Sequence, residues 1–153
     1  MKSSMKYPLV LALLLNYNCG SREPSDLLEE ARKEINGVKK FELYDEVISL
    51  DSVNESAFFE RGSLHAMYYN SSLSLEQEGN DIDSNRTLMH YHSAIADFGT
   101  VIRLNPKNTT AYINRARLYS QTNENEKACK DFLKAQNNGA KVDSTVLVKC
   151  KEY

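Results

Sequence analysis

An all-α fold of tandem antiparallel helix pairs is what this sequence predicts, and three observations carry that expectation. Residues 47–64 reappear at an offset of 54 as residues 101–118, with Val47, Ile48, Leu50, Asn54, Ala57, Arg61 and Leu64 matched by Val101, Ile102, Leu104, Asn108, Ala111, Arg115 and Leu118. A second offset, 34, pairs Ala94 with Ala128, Phe98 with Phe132 and Val101 with Ala135. Three prolines and six glycines are too few for a turn-rich all-β chain of 153 residues. A repeated unit of this length is one supersecondary element that buries its apolar face only by stacking on the next.

The elements follow in chain order. Lys2 and Lys6 precede an apolar run from Tyr7 to Leu15, and polar or small residues follow up to Ser21. That is the layout of an export signal, expected over residues 1–18. The run is too short to span a bilayer, which needs roughly 20 apolar residues. Cys19 stands where a bacterial lipoprotein signal carries its acylated cysteine, and the segment Leu13 to Ser21 resembles such a lipobox. The alternative is a plain secretory signal cut after Gly20 or Ser21, which discards Cys19. Residues 19–25 then form a linker to the folded domain, residues 26–153.

Residues 26–54 read as a first, degenerate repeat, with Tyr44 and Val47 in register. Residues 55–108 form the middle repeat. The two offsets differ by 20, so this repeat carries an insertion, placed at about residues 70–85 where Asn, Ser, Asp and Glu abound. Residues 109–140 form the last repeat, stopped by Gly139, as Pro106 stops the one before. Residues 143–151, striped with Val146 and Leu147, read as a capping helix.

The positions in these repeats resemble the tetratricopeptide repeat family, over about residues 26–140. That family sets aromatic, apolar, small and aromatic residues on a first helix. Small, aromatic and small residues follow on a second, with a closing proline. In the last repeat those places hold Tyr112, Arg115, Ala116, Tyr119, Ala128, Phe132 and Ala135. In the middle repeat they hold Phe58, Arg61, Gly62, His65, Ala94, Phe98, Val101 and Pro106. Arg61 and Arg115 depart from the apolar preference, and His65 replaces the usual tyrosine. The small residues are expected at the helix crossing, Gly62 against Ala94 and Ala116 against Ala128.

The resemblance implies a protein or peptide partner held on the concave face of the first helices. Phe59, Ser63, Ala66 and Met67, then Ile113, Asn114, Arg117 and Gln121, are expected there. Phe59 and Ile113 read as apolar residues that core packing does not require. Only Asn114 stands where the family's carboxylate-clamp type has a ligand, and the clamp's lysines are missing. Structural assembly into a larger envelope complex is the second reading, and an enzyme the third.

Other functions find little support. Acids outnumber bases 21 to 19, which supplies no basic footprint for nucleic acid. No Gly-rich phosphate loop, HExxH, CxxC or local nucleophile arrangement occurs. No catalytic residue, metal, cofactor or small-molecule substrate is therefore expected. His90 and His92 lie two apart, the wrong spacing for one helix face, and His65 stands at a packing place. The acidic stretch from Glu76 to Asp83 fails the EF-hand pattern and reads as a solvated loop. Cys129 and Cys150 survive either processing and, after export, are expected to form a disulfide joining the last repeat to the cap. The expected location is the cell envelope, lipid-anchored and facing the periplasm, with the outer membrane one candidate.

Overall fold

The computed structural model describes residues 22–79 and 83–152. Residues 1–21, with Cys19 and the export signal, lie outside them. The described residues form helices and turns, with no strand among them. The helices are α1 (Pro24–Lys33), α2 (Gly37–Leu50), α3 (Glu55–Gln77), α4 (Ser84–Leu104), α5 (Thr109–Gln121), α6 (Asn125–Asn137) and α7 (Ser144–Lys149), closed by a 3-10 turn at Cys150–Glu152. They pair as the hairpins α1–α2, α3–α4 and α5–α6, stacked in order with α7 against the end.

Local signals account for the helix ends. Asn36, Asn54 and Asn108 each accept a hydrogen bond from the backbone N–H three residues on, and Asp83 caps α4 in the same way. Asn54 and Asn108 thus recur because each starts the first helix of its hairpin. The Glu55 carboxylate accepts from both Asn105 and Asn108, tying the start of α3 to the α4–α5 turn. Gly139 ends α6 at φ 96°, where Ala140 N–H returns to the Ala135 carbonyl.

Three apolar clusters follow the stack. Leu27, Leu28, Ala31, Leu43, Tyr44, Val47 and Ala57 fill the first. Tyr69, Tyr91, Ala94, Phe98, Val101, Ala111 and Leu118 fill the second. Ala116, Ala128 and Phe132 form the third, flanked by Ile113, Tyr119, Val142 and Val146. Each of the first two draws on neighbouring hairpins, which is why the stack stands as one body.

Two details differ from the sequence expectation. A Cβ on Gly62 would lie 2.9 Å from the Asp97 Cβ and 3.4 Å from the Phe98 ring, so the close crossing falls one turn along from Ala94. The inserted segment is mostly helix, because α3 runs to Gln77 and α4 begins at Ser84. Of its described polar residues, Asn70, Ser71, Ser74, Glu76 and Gln77 are exposed on α3. Tyr69 and Leu73, four apart on α3, pack into the second cluster with Tyr91 of α4, the Tyr69 and Tyr91 rings 5.3 Å apart. The middle hairpin therefore overhangs its neighbours at one edge.

The arginines that broke the family pattern pair with acids on the second helices. Arg61 Nε and Nη2 donate to the Asp97 carboxylate at 2.9 and 2.7 Å, and Nη1 donates to Asp45 at 2.5 Å. Arg115 repeats the fork on Asp131 at 2.7 and 2.9 Å. Asp97 and Asp131 are 4% exposed, so each pair is a bidentate ion pair at a helix crossing. In the first hairpin buried Leu27 and Leu43 hold the equivalent places.

Candidate functional site

The inner face is built by α1, α3 and α5. Near α1 its charges are mutually satisfied. Arg32 donates to Glu60 at 2.6 Å and to Glu29 at 2.6 Å, and the Tyr44 hydroxyl donates to the same Glu60 carboxylate at 3.1 Å. Between α3 and α5 the face opens into a hollow of about 500 Å³. The structure brings Ser63, Ala66 and Met67 together there with Asn114, Arg117 and Gln121. The added turns of α3 lengthen the wall with Asn70, Ser71 and Ser74. Gln121 donates to the Asn70 side chain at 2.9 Å and spans the two walls.

Chemically the hollow is a row of amides and hydroxyls with one cation. Arg117 is exposed and makes no ion pair among the described residues. Met67 is 53% exposed and offers a flexible apolar contact. Such a lining matches the alternating donors and acceptors of an extended backbone.

Phe59 and Ile113 belong elsewhere. Phe59 is half-buried against the second cluster, its ring 5.9 Å from that of Phe98, and Ile113 packs on the third. Both complete the joints between helices, so neither is the spare apolar surface that the sequence suggested.

A second constellation was missed in the sequence because its partners lie on different helices. His65 Nδ1 and His90 Nδ1 are 2.8 Å apart, joining α3 to α4. Phe41 of α2 lies 4.4 Å from His65, and Tyr68 stacks on His90 at 5.2 Å. One Nδ1 must carry a proton and the other must not, so the bond survives one protonation and is lost once both rings are charged. Burial, then the neighbouring His90 and Arg61, hold His65 down at about 4, and burial with Arg86 lowers His90. Both folded values lie below those of the unfolded chain. The stabilisation is therefore complete above about pH 6.5 and lost as pH falls toward 4. The melting temperature is expected to drop across that window, and His65→Phe/His90→Phe should flatten the drop. An unchanged pH profile in the double variant would assign the acid sensitivity to other groups. Among the described residues no group of three or more His, Cys, Asp or Glu is placed to hold a metal ion.

Cys129 of α6 and Cys150 after α7 are bonded, their Cα atoms 5.2 Å apart. Among the described residues no helix is long and apolar enough to cross a membrane.

Residues 109–137, the third hairpin, match the family model of the tetratricopeptide repeat. The chain has the fold of a tetratricopeptide-like solenoid. A solved structure described as the first TPR of Spaghetti (RPAP3) bound to HSP90 peptide SRMEEVD superposes at a TM-score of 0.62, with 18% identity over 87% of this chain and 94% of that one. A second, MamA MSR-1 C2, is 19% identical over 84% of each chain at a TM-score of 0.33. No curated protein matches the chain significantly.

Proposed function

We propose that this chain is a non-enzymatic protein-interaction module that holds an extended segment of a partner protein between α3 and α5. The observation that carries the reading is the hollow lined by Ser63, Met67, Asn70, Asn114, Arg117 and Gln121. A tetratricopeptide-like neighbour is described as bound to a peptide, which supports the same class of partner. A peptide selected from a random display library on the full chain supplies the probe. Met67→Ala and Arg117→Ala are expected to weaken its binding by about 1–2 kcal/mol each at unchanged stability. Phe59→Ala should instead lower stability by about 2 kcal/mol, less than the ~3–5 of a fully buried phenylalanine. Equal affinity for wild type, Met67→Ala and Arg117→Ala would take the site out of this hollow.

We further propose an envelope location with a lipid anchor at Cys19. Labelled palmitate should enter the wild type and not Cys19→Ser, and the wild type should sediment with membranes. Two acyl chains at about 0.8 kcal/mol per buried methylene suffice for stable attachment. A label-free protein released from membranes would leave the plain secretory signal. Exposed apolar residues on the middle hairpin's overhang, Leu88 and Met89, favour a second reading, stacking on a larger envelope complex. Its mark is co-purification at fixed stoichiometry.

A further inference from the structure

A larger hollow, about 740 Å³, lies at the C-terminal end of the stack. It begins at Arg117 and Gln121, where the first hollow ends, and continues under the cap. Its floor is apolar, made by Ala128, Phe132, Val146 and the Cys129–Cys150 bridge. The charged residues on its lining are Arg117 and Lys149, both cations and both exposed. Neither makes an ion pair among the described residues. The chain as a whole carries a formal charge of −2, so this positive, apolar-floored hollow runs against the overall sign.

The wall bearing Val146 and Lys149 has little to hold it except the disulfide. Helix α7 has six residues and none of them is buried. Helices shorter than about 12–15 residues are marginal without tertiary support. Cys150, directly after α7, is tied to Cys129 in the middle of α6. The bridge thus holds Lys149 on the hollow that Arg117 also lines, and forms part of the surface a ligand would cover.

We propose that this hollow is a second docking site, for an acidic segment of a partner protein carrying an aliphatic or aromatic side chain, and that the Cys129–Cys150 bond gates it. The carboxylates pair with Arg117 and Lys149, and the apolar side chain rests on Phe132 and Val146. The proposal rests on the interaction-module reading; the site shares Arg117 and Gln121 with the α3–α5 hollow and adds a wall of its own from α6 and α7. Charge excludes the chain's own first residues as the occupant, since residues 1–21 contain Lys2 and Lys6 and no acid. Opening the gate is a thiol–disulfide exchange. A dithiol gives up two electrons and two protons, becomes a disulfide, and leaves Cys129 and Cys150 as thiols. Lys149 is then released with α7.

The probe is a dansylated hexapeptide of four glutamates and two leucines, titrated by fluorescence anisotropy on the full oxidised chain. A lysine–leucine peptide and an all-glutamate peptide are the controls. Saturable binding of the glutamate–leucine peptide is expected, at least tenfold tighter than either control. Lys149→Glu, on an exposed side chain, should weaken it at least tenfold with circular dichroism unchanged. Reduction, or Cys129→Ala/Cys150→Ala, should do the same. By reciprocity, saturating peptide should slow reduction of the bond by dithiothreitol. Ser71→Trp, a neutral change on an exposed residue that lines the first hollow and not the second, should leave this binding intact. Absence of binding would overturn the proposal, as would equal affinity for the all-glutamate peptide or an unchanged affinity in Lys149→Glu. Loss in Ser71→Trp with none in Lys149→Glu would place the peptide in the first hollow, overturning this site and sparing the other.

Discussion

Asp131→Ala is expected to destabilise the protein by about 3–5 kcal/mol, whereas Arg115→Leu/Asp131→Leu should be neutral or stabilising by about 1–4 kcal/mol. Arg115 and Asp131 are 20% and 6% exposed at the side chain, so the single variant strands a guanidinium at a helix crossing. The double variant removes both desolvation costs together. The first hairpin already does this, with Leu27 and Leu43 buried at the equivalent places. In the middle hairpin burial pushes the Asp97 carboxyl up against the pull of Arg61, a sign that desolvation there rivals the attraction. Chemical denaturation of the three proteins decides the matter. A double variant as unstable as the single would mean that the pair adds net stability.

Opening the Cys129–Cys150 bridge is the second large perturbation. It closes a loop of sequence separation 21, worth about 3 kcal/mol in the chain-entropy account. Reduction should lower the melting temperature by on the order of 10 °C. It should also strip hydrogen-exchange protection from Ser144–Lys149 before any other helix. Val142 and Val146 would then be the contacts that hold the cap on the third cluster. Equal protection of α7 in the oxidised and reduced protein would show that this apolar contact holds the cap unaided.

How much of this was legible in the sequence depends on how far each feature reaches along the chain. The helix pairs were, because small and aromatic residues such as Ala94, Phe98, Ala128 and Phe132 return at fixed offsets wherever two helices cross. The Arg61 and Arg115 partners were not named, because Asp97 and Asp131 lie on the following helix. Their signal was present all the same, since those acids recur at the same offset of 34 as the core residues around them. His65 and His90 escaped for a similar reason. Spacing along one helix set His90 beside His92, while its actual partner lies across the hairpin. The insertion was placed by arithmetic, but its composition did not show that α3 runs on to Gln77 and α4 begins at Ser84. Phe59 and Ile113 were misassigned because periodicity marks a face without saying how deep the neighbouring hairpin covers it. The hollow lined by Ser63, Met67, Asn114, Arg117 and Gln121 followed from helix phase, yet its extension along Asn70, Ser71 and Ser74 needed the length of α3.

The central claim is that the inner face of α3 and α5 receives a partner segment. Hydrogen–deuterium exchange of the full chain, free and saturated with the library-selected peptide, tests it most directly. Added protection is expected in residues 63–74 of α3 and 114–121 of α5, with α2 and the outer face of α4 unchanged. Protection confined to α4 and α6, with none on α3 and α5, would contradict the account.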